Sequence, residues 1–185
     1  MADGTRKFFR VLNKYFMVPM YRLGLGGLIC NPLSGYIMVM KVKGRKTGKL
    51  RYVPVNYALY QGNAYCVSGY RRASDWYKNL MAAQGIEVML PGSTIYGTVS
   101  EETDADMRLK VIRQVLQNAG FAGFFEGYNP WKISDDELKE KTADIPLIKI
   151  SPVGVGSGAV DPAGWGWISA TVLLIVAILL LIYIF

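Results

Sequence analysis

Between positions 35 and 102 apolar and polar residues alternate in short runs separated by turn-forming residues, the period-two pattern of β-strands. The first runs cover 35–42, 51–60 and 64–68, parted by Gly-Arg-Lys-Thr-Gly and by Gln61-Gly62-Asn63. The second alternates most cleanly, with Tyr52, Pro54, Asn56 and Ala58 on one face and Val53, Val55, Tyr57 and Leu59 on the other. These three runs predict an antiparallel meander. Ser74 is placed to cap a helix reaching position 84, and strands at 86–90 and 95–100 follow around a Pro91-Gly92-Ser93 turn. Helices are expected at 104–117 and 135–142 and a closing strand at 145–150. Six short strands with helices around them predict an α+β domain whose sheet closes into a small, mainly antiparallel barrel, leaving no long edge exposed.

The two ends of the chain follow other patterns. Residues 167–185 read WISATVLLIVAILLLIYIF, nineteen positions without a charge. As a helix they would extend about 28 Å, against about 30 Å of bilayer hydrocarbon, with Trp165, Trp167 and Tyr183 near the ends. A C-terminal transmembrane helix over 165–185 is therefore expected, joined by a Gly- and Pro-rich linker at 151–164. Arg6, Lys7, Arg10 and Lys14 interrupt any early apolar run, so no cleavable signal is visible. With Lys139, Lys141 and Lys149 ahead of the span, the positive-inside bias predicts a single-pass membrane anchor with the domain in the cytoplasm. Residues 5–22 set basic positions among Phe8, Val11, Leu12, Tyr15 and Phe16. Such a helix suits either a membrane interface or a cover over the barrel's end. The expected organisation is thus an amphipathic helix at 1–23, the barrel at 24–150, the linker and the anchor.

Composition narrows the chemistry. The 185 residues suffice for one domain with an appendage. The net charge of +7 includes no reading helix or RNA-binding signature, so nucleic acid is not an expected partner. The chain has no His and only Cys30 and Cys66, which removes Ser-His-Asp catalysis, the commonest zinc ligand and a disulfide framework. No metal site is expected. Redox chemistry on an organic cofactor survives these exclusions.

The ordered segments GRKTGKLRYVPVNY, CVSGYRRASDWYKNL and IEVML resemble the deazaflavin-dependent nitroreductase and quinone reductase family, over about residues 5–150. The resemblance implies a flavin-reductase-like split β-barrel, with reduced 8-hydroxy-5-deazaflavin (coenzyme F420) as cofactor and flavin mononucleotide as second choice. It also implies a hydride transfer to a membrane quinone or similar lipophilic acceptor. Such a cofactor carries a phosphodiester and a polyglutamate tail. By itself the GRKTG turn reads as a hairpin bearing solvated cations; the resemblance makes Arg45, Lys46, Thr47 and Arg51 the holders of that tail. It places Pro54, Val55 and Asn56 on one side of the ring slot and Val67, Ser68 and Gly69 on the next strand, with Trp76, Tyr77 and Asn79 from the following helix. Arg71 and Arg72 are further phosphate candidates. Ser68 and Tyr128 are the candidate catalytic hydroxyls, within reach of an acceptor oxygen. The stretch GFAGFFEGYNPW offers Phe121, Phe124, Phe125, Tyr128 and Trp131 as an aromatic cover. Gly69 and Asn56 stand where nitroreductase-type members carry Ser and Tyr, so substrate-side roles are not carried across. A non-catalytic cofactor- or lipid-binding subunit of a larger membrane complex is the alternative.

Overall fold

The computed structural model describes residues 3–127, 129–157 and 166–184. Its sheet is a closed antiparallel barrel of β1 (Ile37–Lys43), β2 (Leu50–Tyr60), β3 (Asn63–Val67), β4 (Ile86–Met89), β5 (Thr94–Glu101) and β6 (Leu147–Val155), ordered β1-β2-β3-β6-β5-β4. β1 is nearly continuous apolar sequence because both of its faces are covered. Met38, Met40 and Val42 point into the barrel core with Ile86, Val88, Ile148 and Ile150. Ile37 and Val39 point outward and are sealed by Met17 and Tyr21 of the N-terminal helices.

Those helices are α1 (Asp3–Leu12), a π-helical turn at Asn13–Met17, and α2 (Val18–Arg22), followed by the short α3 (Gly26–Ile29). α4 (Asp75–Met81) starts after Ser74 and buries Tyr77 and Leu80. α5 (Ala105–Gln117) is capped by the Asp104 side chain, which accepts from the Met107 N–H at 2.8 Å. It lays Val111, Ile112, Val115 and Leu116 on Ala58 and Tyr65 of the sheet, where α6 (Asp135–Thr142) adds Leu138. The last strand runs further than its sequence pattern suggests. Residues Ser151 and Pro152 still pair with Thr98 and Gly97, and the pairing reaches Val155 across a bulge at Tyr96/Gly97. Five residues expected in the linker, 151–155, are therefore barrel; positions 158–164 lie outside the described residues.

A C-terminal helix forms, α7 (Gly166–Ile184), but the expected transmembrane span does not stand. No helix among the described residues is long and apolar enough to cross a membrane. The first turns of α7 carry Ser169 and Thr171, so its uninterrupted apolar run is 172–184, about 20 Å at 1.5 Å per residue against about 30 Å of hydrocarbon. The transmembrane part of the expected fold class is corrected on this ground. So is the expected localisation as a single-pass anchor with a cytoplasmic domain. Trp165 and Phe185, the outer limits of that expectation, lie outside the described residues.

Candidate active site

β2 pairs with β1 from Asn56↔Ile37 to Leu50↔Lys43, but with β3 only from Tyr57↔Cys66 to Tyr60↔Asn63. Its first half thus has a strand on one side only, and the barrel is split along that edge. The split opens into a cleft of about 1150 Å³, floored by Leu50 to Asn56 and walled by Val67, Gly69 and the chain from Ala73 to Trp76. α1 and the π-helical turn form a further wall through Phe9, Arg10, Asn13, Lys14 and Met17.

Of the residues singled out in the sequence, Arg51, Pro54, Val55, Asn56, Val67, Gly69, Trp76 and Asn79 line this cleft. Arg45, Lys46 and Thr47 stand beside it in a turn closed by Gly48 N–H to Gly44 O (2.8 Å) and Gly44 N–H to Lys49 O (2.9 Å). The buried Asn79 ties that turn to α4: its Oδ1 accepts from the Arg45 backbone N–H (3.2 Å) and from Arg45 Nη1 (3.0 Å). Arg45 Nη1 also lies 3.6 Å from the Asp75 carboxylate. Thr47 Oγ1 accepts from the Lys49 N–H at 3.4 Å.

The remaining candidates are elsewhere. Ser68 is fully buried; its hydroxyl donates to Arg71 O (2.9 Å) and lies 3.1 Å from Ser74 Oγ, and it does not line the cleft. Tyr77 is also buried away from the cleft, donating to Glu101 Oε2 at 2.5 Å. Arg71 and Arg72 are held in ion pairs with Asp144 and Glu101 and do not line the cleft. Of the aromatic cover, Phe121 reaches the cleft, whereas Phe124 and Trp131 are exposed and do not line it. Tyr128 lies outside the described residues, and so does the side chain of Phe125.

Two close approaches set the far end of the cleft. Gly120 has φ +57°, and a Cβ there would sit 2.3 Å from Leu33 O, so glycine is required for the turn that carries Phe121. Gly35 has φ +96°, and a Cβ would sit 2.6 Å from Asn56 Nδ2. The bare backbone at Gly35 lets Asn56 occupy its place on β2.

Sequence reasoning missed Glu101, Phe9, Arg10 and Lys14. Glu101 accepts from Tyr77 and from both Arg72 Nε and Nη2. Burial raises its carboxyl, but the hydrogen bonds from Tyr77 and Arg72 and the nearby Arg72 and Arg108 charges outweigh that and hold it below the usual carboxylate range. Phe9 and Phe121 face each other with ring centroids 6.4 Å apart and planes 15° apart. The alternation of basic and aromatic residues in 5–22 was visible, but which face met the barrel was not.

A closed antiparallel barrel, split beside the free edge of β2 and carrying a cationic turn next to the resulting cleft, defines the class as a split β-barrel with an open binding cleft. The family model described as F420H(2)-dependent quinone reductase matches residues 16–125. The chain belongs to that family and is a deazaflavin-dependent oxidoreductase. No curated protein matches it. Among solved structures, an F420-H2 dependent reductase (FDR-A) is 22% identical at a TM-score of 0.42, covering 62% of this chain and 93% of that one. A putative 5-nitroimidazole antibiotic resistance protein from Bacteroides thetaiotaomicron is 10% identical at 0.46, covering 65% and 74%. The heme storage protein HutZ from Vibrio cholerae is 12% identical at 0.44, covering 73% and 87%.

Proposed function

We propose that the cleft binds reduced coenzyme F420 along the unpaired edge of β2 and serves its reaction with a lipophilic quinone. The observation that carries this reading is that edge itself. Leu50 to Asn56 offer backbone groups without a strand partner on one side, flanked by Val53, Pro54, Val55, Val67 and Trp76 as apolar surface and by Arg51 as a cation. The donor set fits the cofactor's two chemistries. Flat apolar walls suit a tricyclic ring, and guanidinium and ammonium groups suit a phosphodiester. Arg51 and Lys46 would hold the phosphodiester, with Arg45 keeping the turn docked through Asn79.

When bound, the reduced deazaflavin supplies a hydride from C5; the protein supplies placement. Trp76 and Pro54 would orient the ring, and Phe121 would offer an aromatic face to the acceptor. A quinone that takes up a hydride also takes up one proton to become a hydroquinone. The cleft is open to solvent, so water can deliver that proton without a buried acid. Ser68 is not used, since its hydrogen is committed to Arg71 O.

The test is a fluorescence titration of the protein with coenzyme F420, followed by turnover of the reduced form with a short-chain quinone. Binding with turnover is expected. Lys46→Ala with Arg51→Ala should weaken binding by about tenfold to a hundredfold, since charge-assisted hydrogen bonds contribute roughly 1.5–3 kcal/mol each when well formed and less when exposed. Preference for flavin mononucleotide, or an affinity unchanged in the double variant, would overturn this site.

A further inference from the structure

We infer that the N-terminal helix is a second cationic jaw of the cleft, and that Arg10 and Lys14 grip the polyanionic tail of the cofactor from the helical wall while Arg51 meets it from the floor. This rests on the proposed cofactor reading and assigns the tail a second set of contacts.

Helix geometry supplies the first argument. Successive residues step by about 100°, so Phe8, Val11 and Tyr15 form one stripe of α1 and its continuation, while Phe9, Arg10 and Asn13 form another. The apolar stripe points outward, with Phe8, Val11 and Tyr15 exposed by 55%, 51% and 67%. The stripe carrying Arg10, with Lys14 one turn on, lines the cleft. A helix covering a protein normally turns its charges to solvent and its apolar stripe inward. Here Leu12, Met17 and Val18 anchor the helix against Ile37 and Val39, and the positions left to face the cleft are largely polar.

Charge supplies the second. Three cations, Arg10, Lys14 and Arg51, line one cleft, and among the described residues none of them has an acidic partner. The one acidic residue on that surface, Asp75, is at 3.6 Å from Arg45. Like charges gathered in a cleft repel each other until an anion enters, so the arrangement favours an extended polyanion over a neutral ligand. The π-helical turn is the third. Its winding, with more residues per turn, brings position 14 closer to the line of position 10, and such turns recur at functional sites. Phe9, stacked near Phe121, bridges this jaw to the far wall.

The experiment measures Kd for two probes, coenzyme F420 and the tail-less 8-hydroxy-5-deazariboflavin, in the full chain and in Arg10→Ala/Lys14→Ala, over a range of salt. Both substituted side chains are exposed, and an unchanged thermal midpoint checks that the variant is folded. The inference expects Kd for coenzyme F420 to rise about tenfold at low salt, with a shallower salt dependence, and Kd for the tail-less probe to stay within about twofold. Equal loss for both probes would mean that the helix only shapes the cleft, and would overturn the inference. So would an unchanged Kd for coenzyme F420 in this variant while Lys46→Ala/Arg51→Ala weakens it, an outcome that leaves the cofactor reading intact. Failure of the unsubstituted chain to bind either probe would instead overturn the cofactor reading, and this inference with it.

Discussion

Glu101 sits at the end of β5, outside the cleft, yet it holds the cleft wall from behind. Its carboxylate takes hydrogen bonds from Tyr77 of α4 and from Arg72, two residues before the cleft-lining Ser74. Glu101→Gln keeps the shape and removes the charge that both donors meet. The part-buried bond from Tyr77 carries most of the expected loss of about 1 kcal/mol at pH 7, because Arg72 is more than half exposed and its pairing is screened by water. The folded carboxyl lies below its ordinary 4.5, so its stabilisation is present in full above that value and disappears as pH falls through the folded pKa. Urea denaturation should therefore show wild type and variant separated at pH 7 and converging in strong acid; a constant gap would contradict this role. The two thiols differ in the same physical way. Burial pushes Cys66 up to about 12, whereas Cys30 is partly exposed. A thiol reagent at pH 8 should label one cysteine in the native protein and both in urea. At this scale the sequence was readable only by parity. Val67 and Gly69 share a side and reach the cleft, which leaves Ser68 turned into the protein, and the period of two already implies that separation.

Elements were more legible than their ends. The alternation in 51–60 became β2, and the run at 104–117 became α5, which the structure shows capped by Asp104 bonded to Met107 N–H. Asp104→Ala should lower stability by about 1 kcal/mol without moving cofactor affinity, which paired denaturation and binding titrations would check. Where tertiary contacts define an element, local pattern was silent. The 3-10 turn Gly120–Glu126 is held by Phe121 N–H to Leu33 O at 2.9 Å, a contact between distant parts of the chain. The sequence pattern ends β6 at position 150, because Pro152, Gly154 and Gly156 look like linker, but β5 supplies partners through Val155. A proline is tolerated there beside the bulge at Tyr96/Gly97, where the ladder is irregular. Ser74 shows the converse. It precedes α4 as expected, but its hydroxyl turns back to Arg71 O and Ser68 Oγ and caps nothing.

At the scale of the whole molecule, the chain just beyond β6 is fastened to the barrel at Ser157. Ser157 bonds Glu87 through both its N–H and its hydroxyl, and Glu87 pairs with the buried Lys41 at 2.8 Å. That clasp covers the outer face of β1 where the N-terminal helices stop, so it belongs to the barrel. α7 does not share the core: none of the three buried clusters contains one of its residues. Its apolar side chains are open to solvent turn after turn, with Leu173, Leu180 and Ile184 exposed by 69%, 56% and 71%. A chain ending after Ser157 should therefore keep its thermal midpoint within about 2 °C and its affinity for coenzyme F420, because all three buried clusters remain whole. Contiguous exposed apolar surface of this kind drives association. The full chain should accordingly elute in larger species than the shortened one in gel filtration without detergent. Cutting before Ser157 should behave differently, since Glu87 and Lys41 would lose their third partner and the part-buried pair would be opened further to water. A lower midpoint for the shorter cut alone would locate the boundary of the folded unit at the clasp, whereas equal midpoints for both cuts would show that the barrel closes without it.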